Sequence, residues 1–469
     1  MPFSSLLFIH AFLPAFLAFY WLTPRRYKNY TAILASLVFY GWGAPRFLPV
    51  VLALGVIDYS LSHQIHRRAT GRGRTWMLTF GVMMHLSVLV YFKYSNFFVG
   101  EVNAMVGQLG IAPFTWTAVV LPIGVSFITF EEISYLCDVY RGDATPATRL
   151  SHYTLFLTLF PHSIAGPIFR WKDLQGQLAD RPHGDMLLEG FERFARGLAK
   201  KVLIADTIAI PADVAFGAGP ELLTFGVAWI GALAYTFQIY FDFSGYSDMA
   251  IGLGKMIGFT FKENFDQPYV SSSLTEFWSR WHISLSSWLR DYLYIPLGGN
   301  RLGRRRAIIN LLAVFTLSGL WHGPAWTFVA WGAFHGAFVA VERLLGPRRE
   351  RLALPIRHVV TMLLVVIGWV LFRAKTMGHA WRMLKAMAGQ VQSGAIGPIP
   401  ADFTPRYALA CLGFCLLATL WALRNKYRTP PSQATRFVVA QQLLSVFLLV
   451  LSVIHLTNMR ITPLIYFKF

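Results

Sequence analysis

The sequence predicts an all-α protein that crosses a membrane many times. Hydrophobic residues make up 55% of the 469 positions and charged residues only 14%. The mean hydropathy of +0.47 is far above that of a soluble domain of this length. Apolar runs near the length needed to cross ~30 Å of hydrocarbon recur along the chain. We therefore expect one polytopic domain, residues 1–469, with roughly 11–13 membrane helices and re-entrant segments.

The first apolar stretch, LLFIHAFLPAFLAFYWL, is followed by TPRRYK and has neither a basic leader nor a small-residue cleavage site. We expect it to be a first membrane helix, not a removable signal peptide. Glycine and proline interrupt several of the later runs. The predicted membrane segments are 5–22, 31–41, 47–62, 76–97, 117–137, 151–168, 199–216, 222–242, 307–343 as a hairpin, 357–373, 406–424 and 437–457.

Lysine and arginine gather in short loops between the apolar runs, which accounts for the net charge of +19. In a bacterial inner membrane, the setting we take for this protein, such loops mark the cytoplasmic face and contact anionic lipid headgroups, and we expect no nucleic-acid partner. The basic loops are 25–28, 66–74, 301–306, 343–357 and 424–436.

Two features of the hairpin and the C-terminus follow from this topology. About 14 residues, 307–320, rise only ~21 Å from the cytoplasmic face, so His322 should lie inside the membrane. The last helix should carry residues 458–469 to the external face as an aromatic tail. The loop 388–405 lacks lysine and arginine and is also expected outside. Segment 373–387, RAKTMGHAWRMLKAM, would lie outside despite four basic residues, which favours an interfacial amphipathic helix.

His322 lies in LWHGPAW, beside a Gly-Pro pair that ends a helix and frees backbone groups to face a cavity. Its imidazole could act as a general base or acid near neutral pH. The alternative is a core histidine that is hydrogen-bonded to a carbonyl. The break, the depth and the neighbouring Trp321 and Trp326 favour a functional histidine.

The segment FWSRWHISLSSWLRDYLYIPLGGN places His282, Arg280, Arg290 and Asp291 among three tryptophans. This mixture predicts a helix at the interface or re-entering the membrane, which ends at the turn PLGGN. It could supply a second polar wall opposite His322. The alternative is an aromatic interface belt in which Arg290 and Asp291 are paired or extend to the headgroups.

The buried carboxylates are expected to be mainly structural. Asp242 and Asp248 lie six residues apart and do not share a helix face, so each should anchor an arginine or a helix terminus. Glu131, Glu132 and His162 lie in further broken segments. Their side chains could either pack in the core or line a cavity, and the sequence favours neither role.

Metal and cofactor motifs are not found in the sequence. It contains no HExxH, no histidine and cysteine cluster, no phosphate-binding loop and no GxSxG, so we expect neither a metal nor a tightly bound cofactor. Cys137, Cys411 and Cys415 should be small core residues.

Several long blocks of sequence resemble the membrane-bound O-acyltransferase family, and the likeness covers nearly the whole chain. The blocks are LPIGVSFITFEEISYLCDVYR, FPHSIAGPIFR, YFDFSGYSDMAIGLGKMIGF, FWSRWHISLSSWLRDYLYIPLGGNR and SGLWHGPAWTFVAWGAFHG. The chain is most similar to the bacterial branch that O-acetylates alginate and cellulose. The resemblance implies about a dozen helices around a funnel, with acetyl-CoA as the cytoplasmic donor. It places the family's near-invariant histidine on His322 and its second polar position on His282.

The resemblance also gives expected substrate positions and partners. We expect Trp281, Trp321, Arg290 and Asp291 to contact substrate. The partners would be a periplasmic SGNH-type acetyltransferase and a polysaccharide synthesis and secretion complex. Nothing in the sequence distinguishes alginate from cellulose.

Tyr466, in the terminal LIYFKF, resembles a tyrosine that is proposed to accept the acyl group in the related teichoic-acid system. The expected relay is deprotonation of Tyr466 by His322, attack on the acetyl thioester and transfer of the ester to the partner. The alternative is a tail that only anchors the terminus at the headgroups. Two other classes of function stay open, namely a transporter or flippase for an acyl donor or polysaccharide precursor and a scaffold subunit.

Overall fold

The computed structural model describes residues 1–68, 70–179, 181, 186–390, 406–425 and 436–458. All regular secondary structure in these ranges is helical, which confirms the predicted all-α class. The residues fall into two compact units. The first is Met1–Gly190 with Ala250–Lys262, and the second is Phe191–Met249 with Glu263–Phe469.

The first unit is built from seven consecutive helices, preceded by a π-helical turn at Phe8–Phe12. They are α1 (Leu13–Leu22), α2 (Lys28–Gly43), α3 (Leu48–Arg67), α4 (Arg72–Gln108), α5 (Val125–Arg141), α6 (Leu150–Thr158) and α7 (Trp171–Ala179). Two further helices, α8 (Leu187–Ala199) and α10 (Phe225–Met256), contribute residues to both units.

The second unit holds α9 (Asp206–Gly217), which follows a π-helical turn at Lys200–Ala205, and the helices from α11 onward. These are α11 (Leu274–Arg280), α12 (Ile283–Leu289), α13 (Gly303–His322), α14 (Trp326–Leu345), α15 (Leu354–Arg373), α16 (Met377–Met387), α17 (Arg406–Asn425) and α18 (Arg436–Asn458). Three short turns complete it, a π-helical one at Arg290–Tyr294 and 3-10 ones at Pro268–Val270 and Gly346–Arg351.

Six helices of the described ranges are long and apolar enough to cross a membrane, so this is a multi-pass membrane protein. They cover Leu48–Arg67, Arg72–Gln108, Trp326–Arg351, Leu354–Arg373, Arg406–Arg424 and Ala440–Thr457. The predicted segment 151–168 is broken, as expected around His162, because its helix ends at Thr158 and irregular backbone follows through the Ser-Ile-Ala-Gly-Pro stretch. The predicted segment 117–137 begins its helix only at Val125.

The α13 and α14 hairpin confirms the predicted break. Helix α13 ends at His322, Gly323 is extended, and α14 begins at Trp326. The two helices approach closely because glycines face each other across the contact. A Cβ atom on Gly319 would lie 2.1 Å from the carbonyl oxygen of Phe328, and one on Gly332 would lie 2.2 Å from that of Phe315. Only glycine fits at either position.

The segment that carries His282 forms two short helices, where the sequence predicted one. Helices α11 and α12 are separated by Trp281 and His282, and His282 has left-handed backbone angles, φ 45° and ψ 55°. Helix α12 passes into the π-helical turn, and glycines with positive φ form the turn that follows. Asn310 of α13 donates to the carbonyls of Leu297 and Gly299, which fixes this turn on the hairpin.

Helix α16 lies within the segment predicted to be an interfacial amphipathic helix. The Thr376 hydroxyl caps it by accepting a hydrogen bond from the His379 amide at 3.1 Å. Ala380 and Met383 are buried, whereas Trp381 is 60% exposed. The helix therefore has one apolar packed face and one exposed face, as an amphipathic helix should.

Candidate functional site

His322 lies at the C-terminal end of α13 in a cage of aromatic rings. Its side chain is buried, and its ring centroid lies 4.9 Å from that of Trp321, 5.1 Å from that of Trp331 and 5.3 Å from that of Phe372. All three rings stand nearly edge-on to the imidazole. The cage shields the imidazole from bulk water and restricts its ring orientation, and α13 ends here because Gly323 is extended. This is a suitable environment for a general base that must act on one defined atom.

His282 is held by Asn264 at the start of α12. Its Nδ1 lies 3.1 Å from Asn264 Oδ1, which also accepts a hydrogen bond from the Ser284 hydroxyl at 2.8 Å. The amide nitrogen of Asn264 donates to Ser247 Oγ at 3.1 Å. Because the amide oxygen faces the imidazole, Nδ1 must carry the hydrogen and Nε2 keeps its lone pair in the neutral ring.

The two histidines belong to one aromatic cluster in the second unit. Trp331, which contacts His322, lies 6.1 Å from Trp369, and Trp369 lies 4.8 Å from Trp281, the residue before His282. Trp281 and Trp321 are 4% and 5% exposed. The structure therefore brings together four of the predicted site residues, while their contact with substrate stays a prediction.

Arg290 and Asp291 pair with each other. Arg290 Nε donates to Asp291 Oδ1 at 2.7 Å, and Nη2 donates to Oδ2 at 3.3 Å. This is the pairing given above as the alternative to substrate binding, and binding itself stays a prediction. Arg290 also borders a cavity of about 380 Å³, whose wall is mostly apolar and includes Ser318, one helical turn before His322.

Asp242 and Asp248 anchor cations, as the sequence predicted. Asp248 accepts from Arg193 and from Lys200, each at 2.7 Å. Asp242 lies 2.8 Å from Lys201 Nζ, so a lysine takes the place of the expected arginine. These pairs fix α10 to the segment around residues 193–201, which makes them structural.

A second polar group lies in the first unit, away from the aromatic cage in sequence. His85 Nε2 lies 2.9 Å from Asp58 Oδ1, and His85 Nδ1 lies 2.8 Å from Glu132 Oε2. The Tyr153 hydroxyl donates to Asp58 Oδ2 at 3.0 Å. These four side chains are fully or almost fully buried. We call the three charged residues among them, Asp58, His85 and Glu132, the buried triad. Neighbouring Glu131 pairs with His162 at 3.0 Å.

The buried triad could in principle hold a metal ion. One ligand atom from each of its three residues lies within 4.8 Å of the others, and two carboxylates with an imidazole suit several divalent metals. Both ring nitrogens of His85 already face a carboxylate, however, so a metal would have to displace one of these contacts. The geometry is that of an imidazole clamped by two acids. The predicted lack of a metal stays a prediction.

The sequence signals for some of these residues were missed. Asp58 and His85 are ionisable residues inside predicted membrane segments, which is itself a sign of a partner in the membrane. His335 of α14 is fully buried, and neither ring nitrogen has a hydrogen-bond partner in the described part of the chain. It packs between Trp278 and Trp331, both 5.1 Å away. Asn264 had no local signal, because its partners lie 17 to 20 residues away.

Comparison with known proteins identifies the class. Residues 148–374 match the membrane-bound O-acyltransferase family. The "Probable alginate O-acetylase AlgI" of Azotobacter vinelandii is 52% identical over 395 residues, 82% of this chain and 78% of the relative. The protein of the same name from Pseudomonas putida is 45% identical over 494 residues and covers all of both chains. The "Peptidoglycan O-acetyltransferase" of Helicobacter pylori is 35% identical over 424 residues, 82% and 80% of the two chains.

The chain belongs to the membrane-bound O-acyltransferase family. It is therefore an O-acyltransferase, which favours the enzymatic function over the transporter and scaffold alternatives. The family match includes His282 and His322. Tyr466 lies outside it and outside the described residues, so its role stays a prediction.

Proposed function

We propose that this O-acyltransferase takes an acetyl group from acetyl-CoA and delivers it for O-acetylation of an exopolysaccharide, either alginate or cellulose. The relatives named for alginate O-acetylation, at 45% to 52% identity, support an acetyl group and a polysaccharide. The observation that carries the proposal is the position of His322, buried among aromatic rings at a helix end that opens into extended backbone.

In this proposal His322 is the general base. Its imidazole takes the proton of the acceptor hydroxyl while the hydroxyl oxygen attacks the thioester carbonyl carbon. The carbon–sulfur bond then breaks, and the proton passes to the leaving thiolate of CoA, so the step is balanced without a metal or an oxidant. The dry aromatic cage strengthens each electrostatic contact made during the step.

His282 would act as the second polar group. With Nδ1–H directed to Asn264, the lone pair of Nε2 can accept a hydrogen bond or a proton from a substrate group. Trp281 and Trp321 would form apolar walls for the donor arm, and Arg290 and Asp291 would contact substrate at the cavity mouth.

The acceptor in the first step would be Tyr466 of the C-terminal tail. A phenol suits a carrier because its anion leaves more readily than an alkoxide, so the acetyl ester stays reactive. The six residues from Ile461 to Tyr466 can extend over ~20 Å, enough to enter a site within the membrane. The ester would pass to a periplasmic SGNH-type acetyltransferase, with the enzyme in the bacterial inner membrane and its C-terminus outside.

A complementation experiment tests the histidine. A strain that lacks this gene would receive wild type, His322→Gln, or His66→Gln as a control at an exposed position. At matched membrane abundance, the O-acetyl content of the exopolysaccharide should be lost with His322→Gln and retained with His66→Gln. Full acetylation with His322→Gln would contradict the proposed base.

The tail is tested by removal of one oxygen atom. Tyr466→Phe should abolish acetylation, while Tyr407→Phe, at a tyrosine that is 55% exposed on α17, should leave it unchanged. Wild-type acetylation by Tyr466→Phe would refute the carrier and leave the role of His322 intact.

A further inference from the structure

Four arginines surround one cavity in the second unit. The cavity has a volume of about 570 Å³ and is lined by Arg304, Arg343, Arg348 and Arg351, together with residues 344–347. Arg304 belongs to the first turn of α13, and Arg343 to the last turn of α14. The other two lie in the 3-10 turn Gly346–Arg351. We call these four residues the arginine pocket.

The charge of the arginine pocket is not balanced by acidic side chains. Within the described ranges, no carboxylate forms an ion pair with any of its four members. Glu342, the residue before Arg343, contacts Arg349 at 3.4 Å and accepts hydrogen bonds from the backbone amides of Leu274 and Thr275. Four exposed guanidinium groups of like charge around one space repel each other, so an anion in that space would be favoured, most of all at low salt.

Two of the arginines are already oriented by the protein. Arg304 Nη2 donates to the carbonyl of Leu344 at 2.8 Å, and Arg343 Nη1 donates to Tyr294 Oη at 3.1 Å. Part of the side-chain entropy that anion binding would otherwise cost is therefore already lost in the folded protein. The other nitrogens of each guanidinium remain available as donors.

The arginine pocket adjoins the apolar cavity beside α12. Tyr294, which accepts the hydrogen bond from Arg343, also lines that 380 Å³ cavity. Trp278, Leu311, Phe315 and Ser318 line the same cavity. A ligand with an anionic head and a long, mostly apolar or amide chain would place the head on the arginines and the chain in this second space.

We propose that Arg304, Arg343, Arg348 and Arg351 bind the phosphate groups of a ligand whose attached chain enters the apolar cavity. Guanidinium groups suit phosphate because they donate two parallel hydrogen bonds to its oxygens. Two kinds of ligand combine phosphate groups with a long chain. One is CoA, with phosphates and a pantetheine arm, and this case rests on the proposed function. The other is an anionic phospholipid, which does not.

The test uses the purified full-length protein in a neutral detergent, with two probes and two charge-matched variants. Arg348→Gln/Arg351→Gln removes two charges from the arginine pocket. Arg305→Gln/Arg306→Gln removes two neighbouring charges whose side chains do not line it. The probes are CoA and fluorescent phosphatidylglycerol, with phosphatidylcholine as the headgroup control, and each dissociation constant is measured at low and at high salt.

We expect the pocket variant to weaken binding of one probe by about tenfold or more, while the control variant stays within about twofold of wild type. High salt should reduce this difference because it screens the charges. A loss confined to CoA assigns the site to the donor, and a loss confined to phosphatidylglycerol assigns it to a lipid headgroup. Equal binding by the two variants for both probes would overturn the proposal.

The outcome is independent of catalysis, because CoA carries no acetyl group and binding is measured without turnover. A protein that binds CoA through the arginine pocket but transfers no acetyl group would contradict the proposed function and keep this site. If the protein transfers acetyl groups but the two variants bind both probes equally, the arginine pocket is refuted and the proposed function is kept.

Discussion

Replacing His85 by leucine should destabilise the first unit strongly. In the wild type, His85 lies between the carboxylates of Asp58 and Glu132, at 2.9 Å and 2.8 Å, and all three side chains are at most 1% exposed. His85→Leu leaves two buried carboxylates without their shared partner. Breaking a buried ion pair in this way typically costs about 3–5 kcal/mol, a large part of the ~5–15 kcal/mol that keeps a typical protein folded.

The assay is thermal unfolding of the purified protein in detergent, followed by loss of the monodisperse peak in gel filtration. His66→Leu, at an exposed position near the end of α3, serves as the control and should unfold like the wild type. The triple variant Asp58→Asn/His85→Leu/Glu132→Gln removes both orphaned charges and should recover most of the lost stability, because neutral amides are far cheaper to bury than carboxylates. A His85→Leu protein as stable as wild type, or a triple variant no better than the single one, would refute this reasoning.

Three further substitutions test other contacts. Gly332→Ala should cost about 1–3 kcal/mol of stability, because its Cβ would lie 2.2 Å from a carbonyl oxygen; Gly413→Ala, with nothing within 4 Å, should not. Lys201→Met should lower the unfolding temperature because Asp206 and Asp242 lose the lysine that pairs with both, and Lys201→Met/Asp242→Asn should recover part of it. Asn264→Leu should reduce acetyl transfer by up to about a hundredfold with normal folding, because His282 loses its orienting partner; undiminished transfer would exclude that role.

The helices and their breaks were largely predictable from sequence. Apolar runs interrupted by proline and glycine correctly predicted the α13 and α14 hairpin and its break after His322, and the amphipathic pattern predicted α16. These features depend mainly on local chemistry, since a Gly-Pro pair disfavours continuation of a helix. The break around His162 was also expected, and irregular backbone in this apolar run is tolerated where protein surrounds it.

The side-chain pairs were not predictable, because they join distant parts of the chain. Asp58 and His85 are 27 residues apart, and Asn264 meets His282 across 18 residues. Which faces of two helices meet depends on packing over their whole length, and hydrophobic periodicity does not determine it. The left-handed backbone of His282 is a further case, because a histidine rarely adopts it without tertiary contacts that hold it.

The central claim is that His322 activates an acceptor for attack on an acetyl thioester. The most direct measurement mixes purified protein with acetyl-CoA that is radiolabelled in the acetyl group, and follows covalent label and free CoA thiol together. Wild type and His66→Gln should release CoA in step with the label they gain, whereas His322→Gln should do neither above background. Equal labelling and CoA release by His322→Gln, at equal amounts of folded protein, would contradict the account.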